Sequence, residues 1–243
     1  MIRKAVISDF PVKADNECLV RIMGLREAYG LDASFIQYFS DGEGGLMSLM
    51  DGVAVLHLPA FTDEWAVFLA MHSDVVVIHC ERAIGQSLCS TNQWNGRVGD
   101  VMVYTGEIPI EMDESVCETP YLPKVYDLLK EHFPGISSFD CWYPDVSHRV
   151  RHGNCHISVV MDGENVVSTA MTVAETGAAV VLGQIATHPD FRRRGLAGKC
   201  IKSTIFACKD KSLYILPLNG KAQRLYEKLG FVTCGGWAEL ERT

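Results

Sequence analysis

In the C-terminal half of the chain, the apolar and polar positions predict a strand, a turn and a helix in immediate succession. An apolar run at residues 178–187 predicts a β-strand, and Pro189 ends it because proline has no N–H for a strand ladder. From Leu196 onwards, apolar residues recur at spacings of three and four, which predicts the buried face of a helix of about three turns. The turn between them carries three cations and two glycines: Arg192, Arg193, Arg194, Gly195 and Gly198.

Further elements of this half are predicted from the same patterns. A helix at residues 122–133 has one apolar face and ends at Pro134 and Gly135, and an irregular helix is expected within residues 140–151. The remaining elements are strands at residues 156–161, 166–173, 213–216 and 233–241, a hairpin turn at residues 162–165 and a helix at residues 222–229.

The N-terminal half alternates short strands and short helices, as expected for an α/β unit. It contains no glycine-rich phosphate loop and no motif that indicates a reaction. The predicted elements are helices at residues 16–28 and 64–71, the second with Asp63 as N-cap, and strands at residues 53–58, 75–79 and 98–105. Proline, glycine and acidic residues at positions 106–120 predict a linker, so two domains are expected, at residues 1–112 and 113–243.

The turn at residues 192–198 has the properties of an anion-binding site. Backbone N–H groups at a helix start lack internal partners and carry the positive end of the helix dipole. Gly195 and Gly198 allow a ligand to approach the backbone closely, and the arginines add positive charge. A phosphate or pyrophosphate suits such a site. The alternative is a solvated basic turn before an ordinary helix.

Two segments resemble the GNAT (GCN5-related N-acetyltransferase) family. The pattern Arg192-x-x-Gly195-x-Ala197, after a strand that ends Thr-His-Pro, is similar to the acetyl-CoA loop of that family. The segment from Asn219 to Phe231 is similar to the family pattern Asn-x-x-Ala-x-x-Leu-Tyr-x-x-x-Gly-Phe. The resemblance covers roughly the last hundred residues, which suits one domain of ordinary size.

The resemblance implies a fold class for the C-terminal domain. We expect an α/β (α+β) fold with a mixed, mostly antiparallel central sheet flanked by helices, and a smaller α/β domain at the N-terminus. Some proteins of this family resemble tandem repeats of the fold, in which the N-terminal half is a degenerate copy. The order of the predicted elements suggests the same arrangement here.

The resemblance also implies which residues bind acetyl-CoA. Free backbone groups of the strand would bind the pantetheine arm, and the loop and helix start would bind the pyrophosphate. The implied cofactor-binding residues are Ile185, Ala186, Thr187, Arg192, Arg193, Arg194, Gly195, Leu196, Ala197, Gly198, Asn219 and Ala222. The alternative for the strand residues is a plain core strand, and for Asn219 it is a turn residue beside Gly220.

Tyr226 stands at the position of the usual general acid of the family, where its phenol would protonate the departing CoA thiolate. The alternative is a buried tyrosine that packs the last helix. The strand at residues 178–187 contains no Asp or Glu, so it offers no general base. The open candidates for the base are Glu175, His148, His152 and His156. A water chain or an amine that arrives neutral would also suffice.

Three histidines at intervals of four residues, with a cysteine beside the last, raise the question of a metal site. They are His148, His152, His156 and Cys155. Gly153 and Asn154 should break a helix there, so the three histidines would not share one face. We therefore expect no metal site.

Composition limits the partners and the location. The formal net charge is −8, and residues 1–112 hold 7 Lys/Arg against 15 Asp/Glu, so nucleic acid is not expected as a partner. No apolar run approaches the roughly eighteen residues of a membrane span, and the apolar run at the chain start is too short for a signal peptide. The nine cysteines lack a Cys-x-x-Cys pair and are expected to be reduced, which favours the cytoplasm.

These patterns favour an acetyl-CoA-dependent N-acetyltransferase that acts on a primary amine, expected to be that of a small molecule. The alternative is an acyl-CoA-binding module without turnover that serves as a sensor or assembly partner. The motif-free N-terminal half and the missing strand glutamate motivate this alternative. The acceptor is open, and so is whether the N-terminal half shapes the acceptor pocket or makes the contact of a homodimer.

Overall fold

The computed structural model describes residues 1–108, 113–117 and 121–243. The strands among them are β1 (Arg3–Lys4), β2 (Ile36–Ser40), β3 (Leu46–Met50), β4 (Val53–His57), β5 (Val77–Glu81), β6 (Trp94–Tyr104), β7 (Val116–Cys117), β8 (Ile157–Asp162), β9 (Asn165–Glu175), β10 (Ala179–Thr187), β11 (Ser212–Ile215) and β12 (Phe231–Arg242). The helices are α1 (Glu17–Tyr29), α2 (Asp63–Met71), α3 (Arg82–Cys89), α4 (Leu122–His132), α5 (Phe139–Arg151), α6 (Leu196–Ala207) and α7 (Gly220–Leu229). No helix in these ranges is both long enough and apolar enough to cross a membrane.

The first of two compact units contains Met1–Met102, Leu216–Leu218 and Thr233–Thr243. Its strands follow the order β1-β2-β3-β4-β5-β12-β6. The pairs β1–β2, β2–β3 and β3–β4 are antiparallel. The pair β4–β5 is parallel and is joined through α2, because a parallel pair needs a crossover. β12 runs antiparallel to β5, with Trp237 opposite Glu81.

The core of the first unit lies between its sheet and two helices. Trp65 and Leu69 of α2 and Ile84 and Leu88 of α3 are buried together with apolar strand residues. Burial of such side chains stabilises the unit by about 1.5–3 kcal/mol for each large side chain.

The second unit contains Val103–Ile215 and Asn219–Val232. Its strands follow the order β11-β10-β9-β8-β7, all antiparallel except the pair β10 and β11, which α6 connects. Helices α4 and α5 cover one face, where Leu129 and Trp142 pack with Val159 of β8. Ser158 precedes Val159 in β8, and successive strand residues point to opposite faces of the sheet. Thr204 of α6 donates a hydrogen bond to Ser158, so α6 covers the other face.

The structure confirms the predicted fold class, a mixed and mostly antiparallel sheet flanked by helices. The strand, turn and helix predicted at the centre of the C-terminal half form as β10, a loop and α6. The division into domains at 1–112 and 113–243 stays a prediction. The two packing units differ from it, because the second unit begins at Val103 and because Leu216–Leu218 and Thr233–Thr243 pack with the first unit.

Several local predictions were wrong or incomplete. β2, β3 and α3 were not predicted; β3 is apolar at four of its five positions and so lacks the alternation of a half-buried strand. Thr62 and not Asp63 caps α2, because its hydroxyl accepts the Trp65 N–H at 3.4 Å. The helix α5 is continuous, with Pro144 inside it, where an irregular helix was expected. Of the predicted linker, residues 109–112 and 118–120 lie outside the described residues.

Candidate functional site

β10 and β11 stop pairing before β10 ends. The parallel register runs from Ala179 opposite Ser212 to Leu182 opposite Ile215. β10 continues for five more residues, to Thr187, and within the described residues its pairing with β11 does not. The backbone of residues 183–187 thus forms a strand edge that an extended ligand can pair with. The predicted residues Ile185, Ala186 and Thr187 lie in this segment.

A β-bulge interrupts β10 where it leaves β11. Gly183 is opposite Met171 of β9, and Ala186 is opposite Thr169, so β10 takes three steps where β9 takes two. The extra residue lies at positions 184–185, and Gln184 has a φ of +47°. A positive φ is uncommon for a residue other than glycine, and such strained backbone clusters at functional sites.

The loop after β10, residues 188–195, is called the arginine loop below. Arg192 Nε donates to the Thr187 carbonyl at 3.1 Å, and Arg194 Nη2 donates to the Asp190 carbonyl at 2.8 Å. These two cations therefore stabilise the loop itself. Arg193 is exposed with a φ of +63°, and no hydrogen bond or ion pair joins it to another part of the chain that the structure describes. It is the loop cation that is available to a ligand.

The start of α6 follows the arginine loop directly. Gly195 is the N-cap with a φ of +76°, and Lys199 N–H donates to the Gly195 carbonyl at 3.1 Å as the first helical hydrogen bond. The N–H groups of Leu196, Ala197 and Gly198 precede that bond and have no partner within the helix. A Cβ built on Gly198 would have no neighbour nearer than 3.9 Å, so space is open beside it. The site fits an anion such as a pyrophosphate.

Asn219 is the N-cap of α7. Its side-chain oxygen accepts the N–H groups of Lys221 and Ala222, each at 3.0 Å. Both predicted residues, Asn219 and Ala222, are therefore parts of one capping structure. A side-chain contact between Asn219 and a ligand would use the nitrogen of its amide, because the oxygen already accepts two bonds.

Tyr226 lies on α7 and is buried. Burial raises the pKa of its phenol to about 12. Its ring centroid is 6.1 Å from that of Phe231, the residue that begins β12. The phenol is therefore protonated at neutral pH and can donate a hydrogen bond.

Two of the four candidate bases lie at the wrong end of β10. Glu175 is opposite Val180, five residues before Ile185, which corresponds to roughly 16 Å along a strand. Its oxygens accept from Lys211 Nζ at 2.7 Å and from Thr172 Oγ1 at 3.0 Å. His156 Nδ1 lies 3.1 Å from the same carboxylate. Glu175 and His156 thus belong to a buried ion-pair cluster and not to the bulge.

The other two candidates lie at the far end of α5. Trp142 Nε1 donates to Gln184 Oε1 at 3.2 Å, which places the first half of α5 at the bulge. At 1.5 Å per residue, His148 and His152 lie roughly 9 and 15 Å farther along the helix. Their rings are in contact with each other, with centroids 4.1 Å apart.

Two groups of three side chains that could bind a metal occur among the described residues. They are Glu17 with Cys18 and His79, and His156 with Glu175 and Cys208. In each group the carboxylate already has a basic partner, Arg21 for Glu17 and Lys211 for Glu175. Both groups are therefore ion-pair clusters in which the carboxylate is already occupied. His148 and His152 belong to neither group.

Comparison with known proteins identifies a family that matches part of this sequence. The family model described as acetyltransferase (GNAT) family matches residues 122–231. These residues form a GNAT domain. The predicted resemblance is confirmed for these residues, and the match supports acyl transfer in general.

Solved structures share the fold over nearly the whole chain. A GCN5-related N-acetyltransferase from Sphaerobacter thermophilus has a TM-score of 0.61 at 15% identity, covering 100% of this chain and 95% of its own. A Drosophila protein has a TM-score of 0.64 at 12% identity, covering 94% and 90%. A tandem GNAT protein from the clavulanic acid biosynthesis pathway has a TM-score of 0.57 at 14% identity, covering 96% and 90%. No curated protein matches the sequence significantly.

Proposed function

We propose that this GNAT domain transfers an acetyl group from acetyl-CoA to the primary amine of a small molecule. The observation that carries the proposal is the free edge of β10 at residues 183–187, which leads directly into the arginine loop and the start of α6. This succession offers backbone groups to an amide-containing arm and an anion site to a pyrophosphate.

The residues present fit acetyl-CoA. Arg193 is exposed, and its guanidinium makes no hydrogen bond or ion pair with the described residues. The open space beside Gly198 lets a phosphate approach the N–H groups of α6. When bound, acetyl-CoA supplies a reactive thioester whose acetyl group passes to the amine as CoA leaves as a thiol.

Tyr226 is proposed as the donor toward the departing sulfur. Its phenol has a pKa of about 12 and so keeps its proton at neutral pH. A thiol has an ordinary pKa of about 8.5, so full proton transfer from this phenol to a thiolate is uphill. The phenol would therefore act mainly by donating a hydrogen bond to the sulfur as negative charge develops on it.

The N-terminal half supports a second part of the proposal, that it is a degenerate copy of the same fold. It too contains a parallel strand pair, β4 and β5, joined by a helix. The connection at residues 58–62 contains no glycine, arginine or lysine, and α2 begins with Asp63 and Glu64, which would repel a phosphate. A hydrogen bond of 2.6 Å between His57 and Glu81 joins the ends of the two strands.

The experiment is CoA-thiol release from acetyl-CoA with a panel of polyamines, aminoglycosides, amino acids and peptides. We expect release with one small-molecule class, and loss of both release and acetyl-CoA binding in Gly195→Glu, which places a carboxylate at the anion site. Acetyl-CoA binding without release across the panel would favour the non-catalytic sensor. Unchanged binding in Gly195→Glu would contradict the placement of the cofactor.

A further inference from the structure

The ladder between β9 and β10 contains two irregularities and not one. Val181 is opposite Ala174, whereas Leu182 is opposite Thr172, so Val173 of β9 is an extra residue on its own strand. The second irregularity is the bulge at residues 184–185 on β10. Because one extra residue lies on each strand, the register shifts by one at Leu182 and returns to its original value at Ala186.

The first irregularity is held by a buried arginine of α5. A residue that is left out of a ladder has a backbone carbonyl without its strand partner. The carbonyl of Val173 accepts a hydrogen bond from Arg149 Nη1 at 3.2 Å. The guanidinium is itself oriented by two bonds to Asp145, at 3.0 Å from Nε and 2.7 Å from Nη2. The position of the first irregularity is thus fixed to α5.

The second irregularity is held by a buried tryptophan of the same helix. Trp142 Nε1 donates to Gln184 Oε1 at 3.2 Å, and Gln184 is the residue with the positive φ. The indole also packs against the Tyr126 ring, with centroids 5.3 Å apart. A backbone conformation of this kind persists only where the surroundings impose it. Among the described residues, the indole N–H of Trp142 is the hydrogen-bond partner that the structure shows for the Gln184 side chain.

A close approach of the two strands accompanies these bonds. A Cβ built on Gly183 would lie 2.8 Å from Cγ1 of Val173, a distance too short for a side chain. Gly183 therefore allows Val173 to occupy the space between the two irregularities. The three features depend on one another, since each fixes the course of the same few residues.

We propose that α5 sets the course of β10 at the acyl site, with Trp142 and Arg149 as positioning residues that act through Gln184 and Val173. This inference rests on the proposed function, because residues 184–187, which α5 would position, belong to the strand edge proposed to bind the amide-containing arm of acetyl-CoA. Neither side chain is assigned a contact with the reacting atoms. A displacement of backbone donors by about 1 Å can reduce turnover by about a hundredfold.

The test is a double-mutant cycle of Trp142→Phe and Gln184→Met. Phenylalanine keeps an aromatic ring against Tyr126 and removes the indole N–H, and methionine keeps the length of Gln184 and removes the acceptor. Trp65→Phe is the matched control, because Trp65 is also buried and donates its Nε1–H at 3.0 Å to a side-chain oxygen, that of Asp41. The readouts are kcat, KM for acetyl-CoA, the CoA dissociation constant, and amide hydrogen exchange of residues 183–187.

We expect kcat to fall about tenfold in each single variant and no further in the double variant, because both changes remove the same bond. CoA affinity should fall less than kcat, since the arginine loop and α6, which are proposed to bind the pyrophosphate, are untouched. Exchange of residues 184–187 should accelerate in both variants and not in Trp65→Phe. Additive effects on kcat, or exchange at the control rate, would overturn the positioning role.

The readouts separate this inference from the proposed function. If the wild-type protein does not bind acetyl-CoA, the proposed function fails, while the exchange measurement still decides whether Trp142 holds the bulge. If Trp142→Phe does not fold, Gln184→Met decides the same point, because Gln184 is only half-buried.

Discussion

His132 joins α4 to the arginine loop, because Arg192 Nη2 lies 3.1 Å from His132 Nε2. The other ring nitrogen, Nδ1, lies 2.9 Å from the Leu128 carbonyl and so carries the proton, which leaves Nε2 to accept from the arginine. Arg192 is therefore fixed at both ends, by Thr187 and by His132. This arrangement separates the loop arginines into structural and ligand-facing groups.

The first prediction compares two of these arginines. Arg193→Ala should raise the CoA dissociation constant by about threefold to tenfold, because a charge-assisted contact with phosphate is lost. The melting temperature should not change, since Arg193 bonds to none of the described residues. Arg192→Ala should lower both affinity and melting temperature. Titration calorimetry and thermal unfolding measure the two effects, and equal destabilisation by both variants would contradict the distinction.

The second prediction concerns the glycines at the start of α6. Gly195→Ala should destabilise the protein by about 1–2 kcal/mol, because its φ of +76° is unfavourable for an L-residue. Gly198→Ala should leave stability equal or slightly higher, since no atom lies within 3.9 Å of the new methyl group and alanine favours a helix.

For Gly198→Ala, the effect on CoA binding should differ from the effect on stability. This variant should still bind CoA more weakly, because the methyl group occupies space through which the phosphate approaches. Chemical denaturation and CoA titration of both variants test this pair. Unchanged affinity in Gly198→Ala would place the phosphate elsewhere.

The third prediction concerns Tyr226. Tyr226→Phe should lower kcat by about tenfold to a hundredfold, with little change in CoA affinity, because only a hydrogen bond to the departing sulfur is lost. The wild-type phenol has a pKa of about 12, so its ionisation should not shape the rate between pH 6 and 10. A pH–rate profile of both proteins, with parallel curves in this range, is the expected result. Wild-type turnover in Tyr226→Phe would exclude the donor role.

The fourth prediction concerns stability above neutral pH. The hydrogen bonds of His156 with Cys208 and with Glu175 raise its pKa from the ordinary 6.5 to about 10. The folded state therefore binds this proton more tightly than the unfolded state. The resulting stabilisation is fully present below pH 6.5 and is lost as the pH rises through about 10.

Thermal unfolding from pH 6 to 10 tests this linkage. The melting temperature of His156→Gln should decline less steeply with pH than that of the wild type. His152→Gln, on the neighbouring helix end, is the control and should keep the wild-type slope. An identical slope in His156→Gln would mean that this histidine does not hold its proton in the folded state.

The fifth prediction is a stoichiometry of one CoA per chain. The anion site of the C-terminal half has no counterpart at residues 58–62, where cations and glycines are missing. Calorimetry should give one site in the wild type and none in Gly195→Glu. Two sites in the wild type, of which one survives Gly195→Glu, would show that the N-terminal half also binds CoA.

Most of the site's outline could be predicted from sequence because it depends on local patterns. The apolar run of β10, the stop at Pro189 and the helical spacing after Leu196 are contiguous signals, and each element formed within one residue of its prediction. The roles predicted for Tyr226 and Asn219 came from the family resemblance and stay predictions, although both residues lie on α7 or at its start.

The features that could not be predicted depend on contacts between distant residues. The bond from Trp142 to Gln184 spans 42 positions, and the bond from Arg149 to the Val173 carbonyl spans 24. Pro144 also obscured α5, because a proline within a helical pattern suggests a break. Nothing in the spacing of β12 indicates that it pairs with β5, since strand partners are chosen by packing.

The paired irregularities of β9 and β10 have one more consequence. A single inserted residue would turn every later side chain of its strand to the opposite face of the sheet. Here one extra residue lies on each strand, so the register returns to its original value at Ala186, which packs in the core with residues of α4 and α5. The distortion is confined to a few residues, and the rest of the sheet is ordinary. Deleting one residue from either strand alone should therefore disrupt the fold, whereas removing one from each should preserve the fold and straighten the edge on which acyl transfer is proposed to depend.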